Sequence, residues 1–223
     1  GTLGLTRNLS ASEIYRQVVY ISKKCMEIYN QPLTNIVFMG MGEPLLNYKN
    51  VLRSIHFITS EEGLNMSYKR ITLSTSGISK MIRKLADDNV KVNLALSLHA
   101  ANEELRKKIM PIGKSNTLEE IRDSLKYYFS KTKKKVTYEY VLLRDVNDSI
   151  EDAYQLYKYT KHLSSKVNII EYNEVEGLEF KKSSFEKTEK FIGYLLKKGV
   201  NVSLRRSRGK DINAACGQLA NKN

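Results

Sequence analysis

The residues most able to do chemistry in this chain stand in one short run, Gly40-Met41-Gly42-Glu43-Pro44, directly after the apolar stretch Ile36 to Met39. A run of that length and composition predicts a fully buried strand of a parallel sheet. The glycines that end it let backbone approach a ligand closely. Pro44 forces Glu43 towards an extended conformation and donates no hydrogen bond of its own. A carboxylate fixed on such a turn suits capture of an ammonium group. The plainer alternative, a tight turn with a surface glutamate, fits the same residues.

Four further segments carry polar groups in equivalent places: Ser74-Thr75-Ser76-Gly77, Ser97-Leu98-His99-Ala100, Asn173, and the basic run from Arg205. Ser74 and Ser97 offer hydroxyls to a carboxylate or a ribose, and Asn173 offers an amide to a ligand edge. His99 reads either as a polar ring at a strand end or as an ordinary turn histidine. In the last segment Arg205, Arg206, Arg208 and Lys210 precede Ala214-Ala215-Cys216-Gly217. Cations favour thiolate, the nucleophilic form of a cysteine, and they also engage phosphates. Cys216 is therefore either an accessible nucleophile or an incidental loop cysteine.

The elements that must position these groups alternate. Ser10 and Glu13 form a capping box, and Ile14, Val18, Ile21, Cys25 and Ile28 then follow a helical stripe, which puts Cys25 on a core face. Helices are expected around Lys49 to Ser60, after Gly77 (Ile82, Leu85), from Thr117 (Leu118, Ile121, Leu125, Tyr128), from Ser149 (Ala153, Leu156), and over Phe185 to Lys198. Strands are expected at Arg70 to Ser74, Val90 to Leu98, Val136 to Leu143, Val167 to Tyr172 and Asn201 to Arg205. Repeated β–α units imply a parallel sheet with right-handed crossovers. The polar segments all follow strands, where α/β folds bind ligands. His56 and His162 read as structural or exposed, Lys131 to Lys135 as a solvated helix end, and Met110-Pro111-Ile112-Gly113 as a turn.

Composition narrows the partners. Lysine and arginine number 37 against 24 acids, a net charge of +13, which points to a polyanion such as nucleic acid. Lysine-rich composition bias explains the same charge without a ligand. Two cysteines without regular spacing argue against a secreted disulfide scaffold and for a reducing compartment. No run is apolar enough to span a bilayer, and no signal peptide is evident.

Taken together, Met39-Gly40-Met41-Gly42-Glu43-Pro44-Leu45-Leu46-Asn47, Ser74-Thr75-Ser76-Gly77, Ser97-Leu98-His99-Ala100, Met110-Pro111-Ile112, Val146-Asn147-Asp148-Ser149 and Asp211-Ile212-Asn213-Ala214-Ala215-Cys216-Gly217-Gln218-Leu219 stand in the order and spacing of one family. From Gly1 to Leu219 the chain resembles the radical S-adenosylmethionine (SAM) methyltransferases of the RlmN type, which methylate carbon 2 of an adenine in 23S rRNA and in tRNA. The resemblance implies an α/β fold, an incomplete (β/α) barrel of the radical SAM type with parallel strands and outer helices. It makes residues 1–223 the radical SAM core domain.

By the same resemblance Gly42 and Glu43 hold the SAM amino group, Ser74, Ser97, Leu98, His99 and Asn173 make the other SAM contacts, and Cys216 is the catalytic cysteine that carries the methyl group. The family's cofactors are SAM and a 4Fe–4S cluster. The three cysteines that ligate the cluster, a further catalytic cysteine that forms a disulfide with Cys216, and a small N-terminal domain are expected upstream of Gly1. The family's usual Asn-Pro is Asn173-Glu174 here. A cytoplasmic monomer is implied. The related carbon-8 methyltransferase is a second candidate, though Glu43-Pro44 and Ser74-Thr75-Ser76-Gly77 fit the carbon-2 branch better. A non-catalytic RNA-binding fragment is the third.

Overall fold

The computed structural model describes residues 6–110, 116–174 and 179–206. Helices and strands alternate as α1 (Ala11–Tyr29), β1 (Ile36–Phe38), α2 (Tyr48–Thr59), β2 (Ile71–Thr75), α3 (Ser79–Asp87), β3 (Asn93–Ser97), α4 (Glu103–Ile109), α5 (Leu118–Thr132), β4 (Val136–Leu142), α6 (Ile150–Thr160), β5 (Ser165–Glu171), α7 (Phe185–Lys197) and β6 (Val202–Arg205). Strand order follows chain order from β1 to β6, and the pairs β1–β2, β4–β5 and β5–β6 are parallel. That is the topology of an incomplete (β/α) barrel. The described residues fall into two compact units. One runs to Thr75 and takes in Asn89–Leu94; the other holds Ser76–Asp88 and the residues from Ala95 onward.

In the first unit Ile36 stands opposite Ile71 and Phe38 opposite Leu73. Val51, Ile55 and Ile58 form the buried face of α2, and Tyr15 of α1 meets Phe57 with ring centroids 5.8 Å apart. The capping box of α1 is formed, with Glu13 accepting from the backbone N–H of Ser10 at 2.8 Å.

Two expectations fail in this unit. Val37 is 50% exposed, so β1 is not a fully buried strand; among the described residues it is the first strand of the order, with a neighbour on one side only. The stripe of α1 is buried at Val18, but Ile21 is 48% and Ile28 66% exposed, which leaves Cys25 half-buried instead of in the core. Periodicity shows which face of a helix is apolar. It does not show how far the packing partner extends along that face.

In the second unit α3 lies along α5, and Ile82 and Leu85 of the one and Ile121 and Leu125 of the other are all fully buried. Burial of each such side chain contributes about 1.5–3 kcal/mol. Helices α5 and α6 start where expected, each with a capping box, Thr117–Glu120 and Ser149–Asp152. Tyr138 packs edge-on against Tyr159, and Tyr140 lies 5.4 Å from Phe191. These contacts place alternate residues of β4 against helices and leave Thr137, Glu139 and Val141 on the opposite face. The expected Val90 to Leu98 strand is shorter as β3, yet Val92, Leu94, Leu96 and Leu98 are all fully buried, as their alternation requires.

Candidate functional site

In the first unit the sequence run that follows β1 forms a defined turn. Gly42 adopts φ +87°, a conformation that strains any residue with a Cβ. Glu43 is extended, with φ −107° and ψ 110°, as a following proline demands. Its Oε1 accepts from the backbone N–H of Leu45 at 3.1 Å. Glu43 thereby caps the short 3-10 turn Pro44–Asn47, which Leu45, 1% exposed, pins to the core. This turn packs against β2, the strand that carries Ser74. Gly42, Glu43 and Ser74 thus gather at the carboxyl ends of two adjacent parallel strands. The Glu43 carboxylate is half-buried and aimed by its own turn, which suits a positively charged partner.

In the second unit β3 ends at Ser97 and the chain turns sharply. The Ala100 N–H returns to the Leu98 carbonyl at 2.7 Å around His99, whose φ is +57°. A γ-turn with positive φ is rare and strained. The His99 ring takes the ladder position that β3 has vacated: Val141 N–H of β4 donates to its Nδ1 at 3.1 Å. Because Nδ1 accepts, the proton of the neutral ring sits on Nε2. Burial, with a smaller push from the nearby Arg106 guanidinium, lowers the His99 pKa to about 4.

Two residues that the sequence reading passed over hold this turn. Arg106 is 1% exposed. It donates from Nη2 to the Ser76 carbonyl at 2.5 Å and from Nε to the Leu98 carbonyl at 3.3 Å, and burial depresses its pKa. Its sequence context, Glu103-Glu104-Leu105-Arg106-Lys107-Lys108, looks like a solvated helix and carries no sign of burial. Asn147 is completely buried. Its Nδ2 donates to the carbonyls of His99 and Val141 at 2.7 and 2.8 Å, and its Oδ1 accepts from Leu143 N–H at 2.7 Å. The motif Val146-Asn147-Asp148-Ser149 was the only signal for it.

Asn173 lies two residues beyond β5 and is 4% exposed. Across the inner face of β4, β5 and β6, register pairs Glu139 with Asn168 and Asn168 with Ser203. Asn168 Nδ2 donates to Glu139 Oε1 at 2.9 Å, and the Ser203 hydroxyl donates to Asn168 Oδ1 at 2.8 Å. Glu139 Oε2 is buried with no partner. Burial raises the Glu139 pKa against the opposing pull of Asn168, Arg205 and Lys166.

Arg205 and Arg206 are exposed at the end of β6, as are His56 on α2 and His162 in the turn after α6. Cys216, Arg208, Lys210 and the turn at Pro111-Ile112-Gly113 lie outside the described residues. Among the described residues no group of three His, Cys, Asp or Glu side chains could hold a metal ion, and no helix is long and apolar enough to cross a membrane. Cys25 is a free thiol.

Residues 7–157 match the family model of the Radical SAM superfamily. The chain is 56% identical over 216 residues to a protein of Flavobacterium psychrophilum named a probable dual-specificity RNA methyltransferase RlmN, covering 97% of this chain and 62% of that one. A protein of Nautilia profundicola named dual-specificity RNA methyltransferase RlmN is 42% identical, with 98% and 62% covered. Among solved structures, a radical SAM methyltransferase from Sphaerobacter thermophilus superposes with TM-score 0.97 at 40% identity, over 100% of this chain and 65% of that one. The chain therefore spans about three-fifths of the length of the curated relatives it matches.

Proposed function

The chain belongs to the radical SAM superfamily, and from that premise we propose that it is the core domain of a methyltransferase acting on carbon 2 of an adenine in 23S rRNA and tRNA. The observation that carries this reading is the 56% identity, sustained over 97% of the chain, to a relative named RlmN. Residues 1–223 form the radical SAM core. The further length that such relatives have supplies the cluster ligands, the second cysteine and the accessory domain. The protein acts as a cytoplasmic monomer.

The described residues suit SAM. Glu43 presents a carboxylate to its ammonium group from a turn that only glycine at position 42 allows without strain. His99 offers one fixed ring donor. Gly42, Ser74, Ser97, Leu98 and Asn173 complete the contacts in this reading. The Cys216 thiolate attacks the methyl carbon of SAM. An S–CH3 bond forms on Cys216, the sulfonium C–S bond breaks, and its electron pair leaves on S-adenosylhomocysteine. The 4Fe–4S cluster, when bound, supplies the reductive radical chemistry that a non-nucleophilic ring carbon requires. After transfer to adenine, the thiolate of the second cysteine attacks the Cys216 sulfur: an S–S bond forms, the bond from Cys216 sulfur to the adenine-bound carbon breaks, and that carbon takes the electron pair and a proton to become the methyl group. Arg205 and Arg206, exposed at the end of β6, face the RNA phosphates.

The test is intact mass of the protein expressed with its full natural length, together with nucleoside analysis of RNA from cells that carry it. A methyl adduct on the Cys216 peptide and 2-methyladenosine in RNA are expected, both lost in Cys216→Ala. An 8-methyladenosine product would assign the carbon-8 reaction instead. A Cys216→Ala protein that still methylates adenine would overturn the carrier role. RNA binding without any methylated product would leave a non-catalytic binding protein.

A further inference from the structure

The motif Val146-Asn147-Asp148-Ser149 has no part in the function above, yet Asn147 is one of the few completely buried polar side chains among the described residues. All its amide capacity but one lone pair is spent at the strand end that carries His99. One nitrogen, Nδ2, bridges two carbonyls, those of His99 and Val141. Val141 is also the residue whose N–H enters His99 Nδ1. The two ends of the histidine, its carbonyl and its ring, are thus tied to one residue of β4, and Asn147 joins the ties. Asn147 is itself fixed from both sides: Leu143 N–H donates to its Oδ1, and the buried Tyr140 hydroxyl donates to its carbonyl at 3.0 Å.

The arrangement has a chemical consequence. A histidine at φ +57° is in a conformation it leaves unless something holds it. An imidazole free to rotate can place the proton on either nitrogen. Here one orientation and one tautomer are selected, because a backbone N–H can meet only an unprotonated nitrogen. What remains to the ring is a single donor, Nε2–H.

We propose that Asn147 is a positioning residue that locks His99 into one orientation and the Nε2–H tautomer, so that the ring donates to an oxygen of bound SAM. The SAM half of this statement rests on the function proposed above. The lock itself does not.

The experiment is nitrogen NMR of the uniformly labelled chain, with His56→Gln and His162→Gln assigning the other two imidazoles. In the wild type, His99 should show one neutral tautomer with protonated Nε2, and an N–N scalar coupling across the Val141 N–H to Nδ1 hydrogen bond. Asn147→Ala should lose the coupling and average the two tautomers, and SAM affinity should fall about fivefold to tenfold, the loss expected for one positioned hydrogen bond. Asn147→Asp, which keeps the shape and the acceptor for Leu143 but not the bridging donor, should behave alike. Tyr140→Phe, which leaves the carboxamide in place, should keep the tautomer. An unchanged His99 tautomer and coupling in folded Asn147→Ala would overturn the proposal. So would failure of both Asn147 variants to fold, because Asn147 would then hold the fold and not the histidine. Loss of the tautomer with SAM affinity unchanged would keep the lock and overturn the SAM contact.

Discussion

Arg106 Nη2 donates to the carbonyl oxygen of Ser76 at 2.5 Å from within the core of its unit, although charged residues crowd it in sequence on both sides. The same guanidinium reaches the Leu98 carbonyl, so one side chain satisfies backbone at the end of the Ser74-Thr75-Ser76-Gly77 run and at the end of β3. Buried carbonyls deprived of a donor cost about 1–3 kcal/mol each. Arg106→Met should therefore destabilise the chain by about 2–4 kcal/mol. Arg106→Lys should recover only part, because one ammonium cannot fork to both oxygens. Denaturant unfolding of the three proteins decides it. A methionine variant as stable as wild type would show that the guanidinium contributes no more than a hydrocarbon of its size.

His99 makes the stability of the chain depend on acid. Its folded pKa, about 4, lies below the ordinary value of 6.5, because burial and then the Arg106 charge disfavour the imidazolium. The unfolded chain thus binds the proton first. The contribution to stability is complete above pH 6.5 and is lost as pH falls from there towards 4. His99→Gln should flatten the stability profile within that window and leave it alone above. The comparison needs unfolding free energies of both proteins between pH 4 and 8. Parallel profiles would mean that the ring protonates in the folded protein as readily as in the unfolded chain.

How much of this was legible in the sequence differs by element. Glu43 and Gly42 were readable because proline and glycine act locally: the φ/ψ of residues 42 and 43 follow from their own and their neighbour's covalent structure. The capping box of α1 was readable for the same reason. Arg106 was not. Its burial is decided by which carbonyls the fold leaves unpaired, and nothing within four residues reports that. Cys25 fails in the opposite sense, since its helical stripe is apolar to the end while its cover is not. The strained turn at His99 lay hidden because it depends on Val141 and Asn147, more than forty residues away.

Gly77, in the Ser74-Thr75-Ser76-Gly77 motif, has φ +100°, and a Cβ built there would lie 2.7 Å from Ile121 Cδ1. Gly77→Ala should cost about 2–4 kcal/mol, part from backbone strain and part from overpacking. The two parts separate in a double mutant. Ile121→Val removes the offending methyl, so the pair Gly77→Ala with Ile121→Val should recover the overpacking share and keep the backbone share. Strict additivity of the two substitutions would show that the clash with Ile121 is not what opposes a side chain at residue 77.

The polar row through Glu139, Asn168 and Ser203 yields a prediction of opposite sign to that for His99. Asn168 serves one oxygen of the carboxyl, while the other is buried without a partner. Burial therefore favours the protonated acid and raises its pKa, and Asn168, Arg205 and Lys166 only partly restrain the shift. A carboxyl whose folded pKa is raised keeps its proton in the folded chain after the unfolded chain has released it. Its stabilising share is complete below the unfolded value of 4.5 and is lost as pH rises through the folded value. Glu139→Gln cannot ionise and still offers Asn168 an oxygen. The variant should gain on the wild type as pH is raised from 4 through the folded value and hold that gain from there towards 8, whatever its offset at pH 4. Removing a restraining charge should widen the effect, so Arg205→Met alone should push the Glu139 pKa higher and steepen the loss of stability with pH. The readout is the difference in unfolding free energy between variant and wild type at each pH, with the Glu139 carboxyl followed by carbon NMR. A difference that stays constant across that range would place the ionised carboxylate in the folded chain at no cost, and would contradict the burial of its free oxygen.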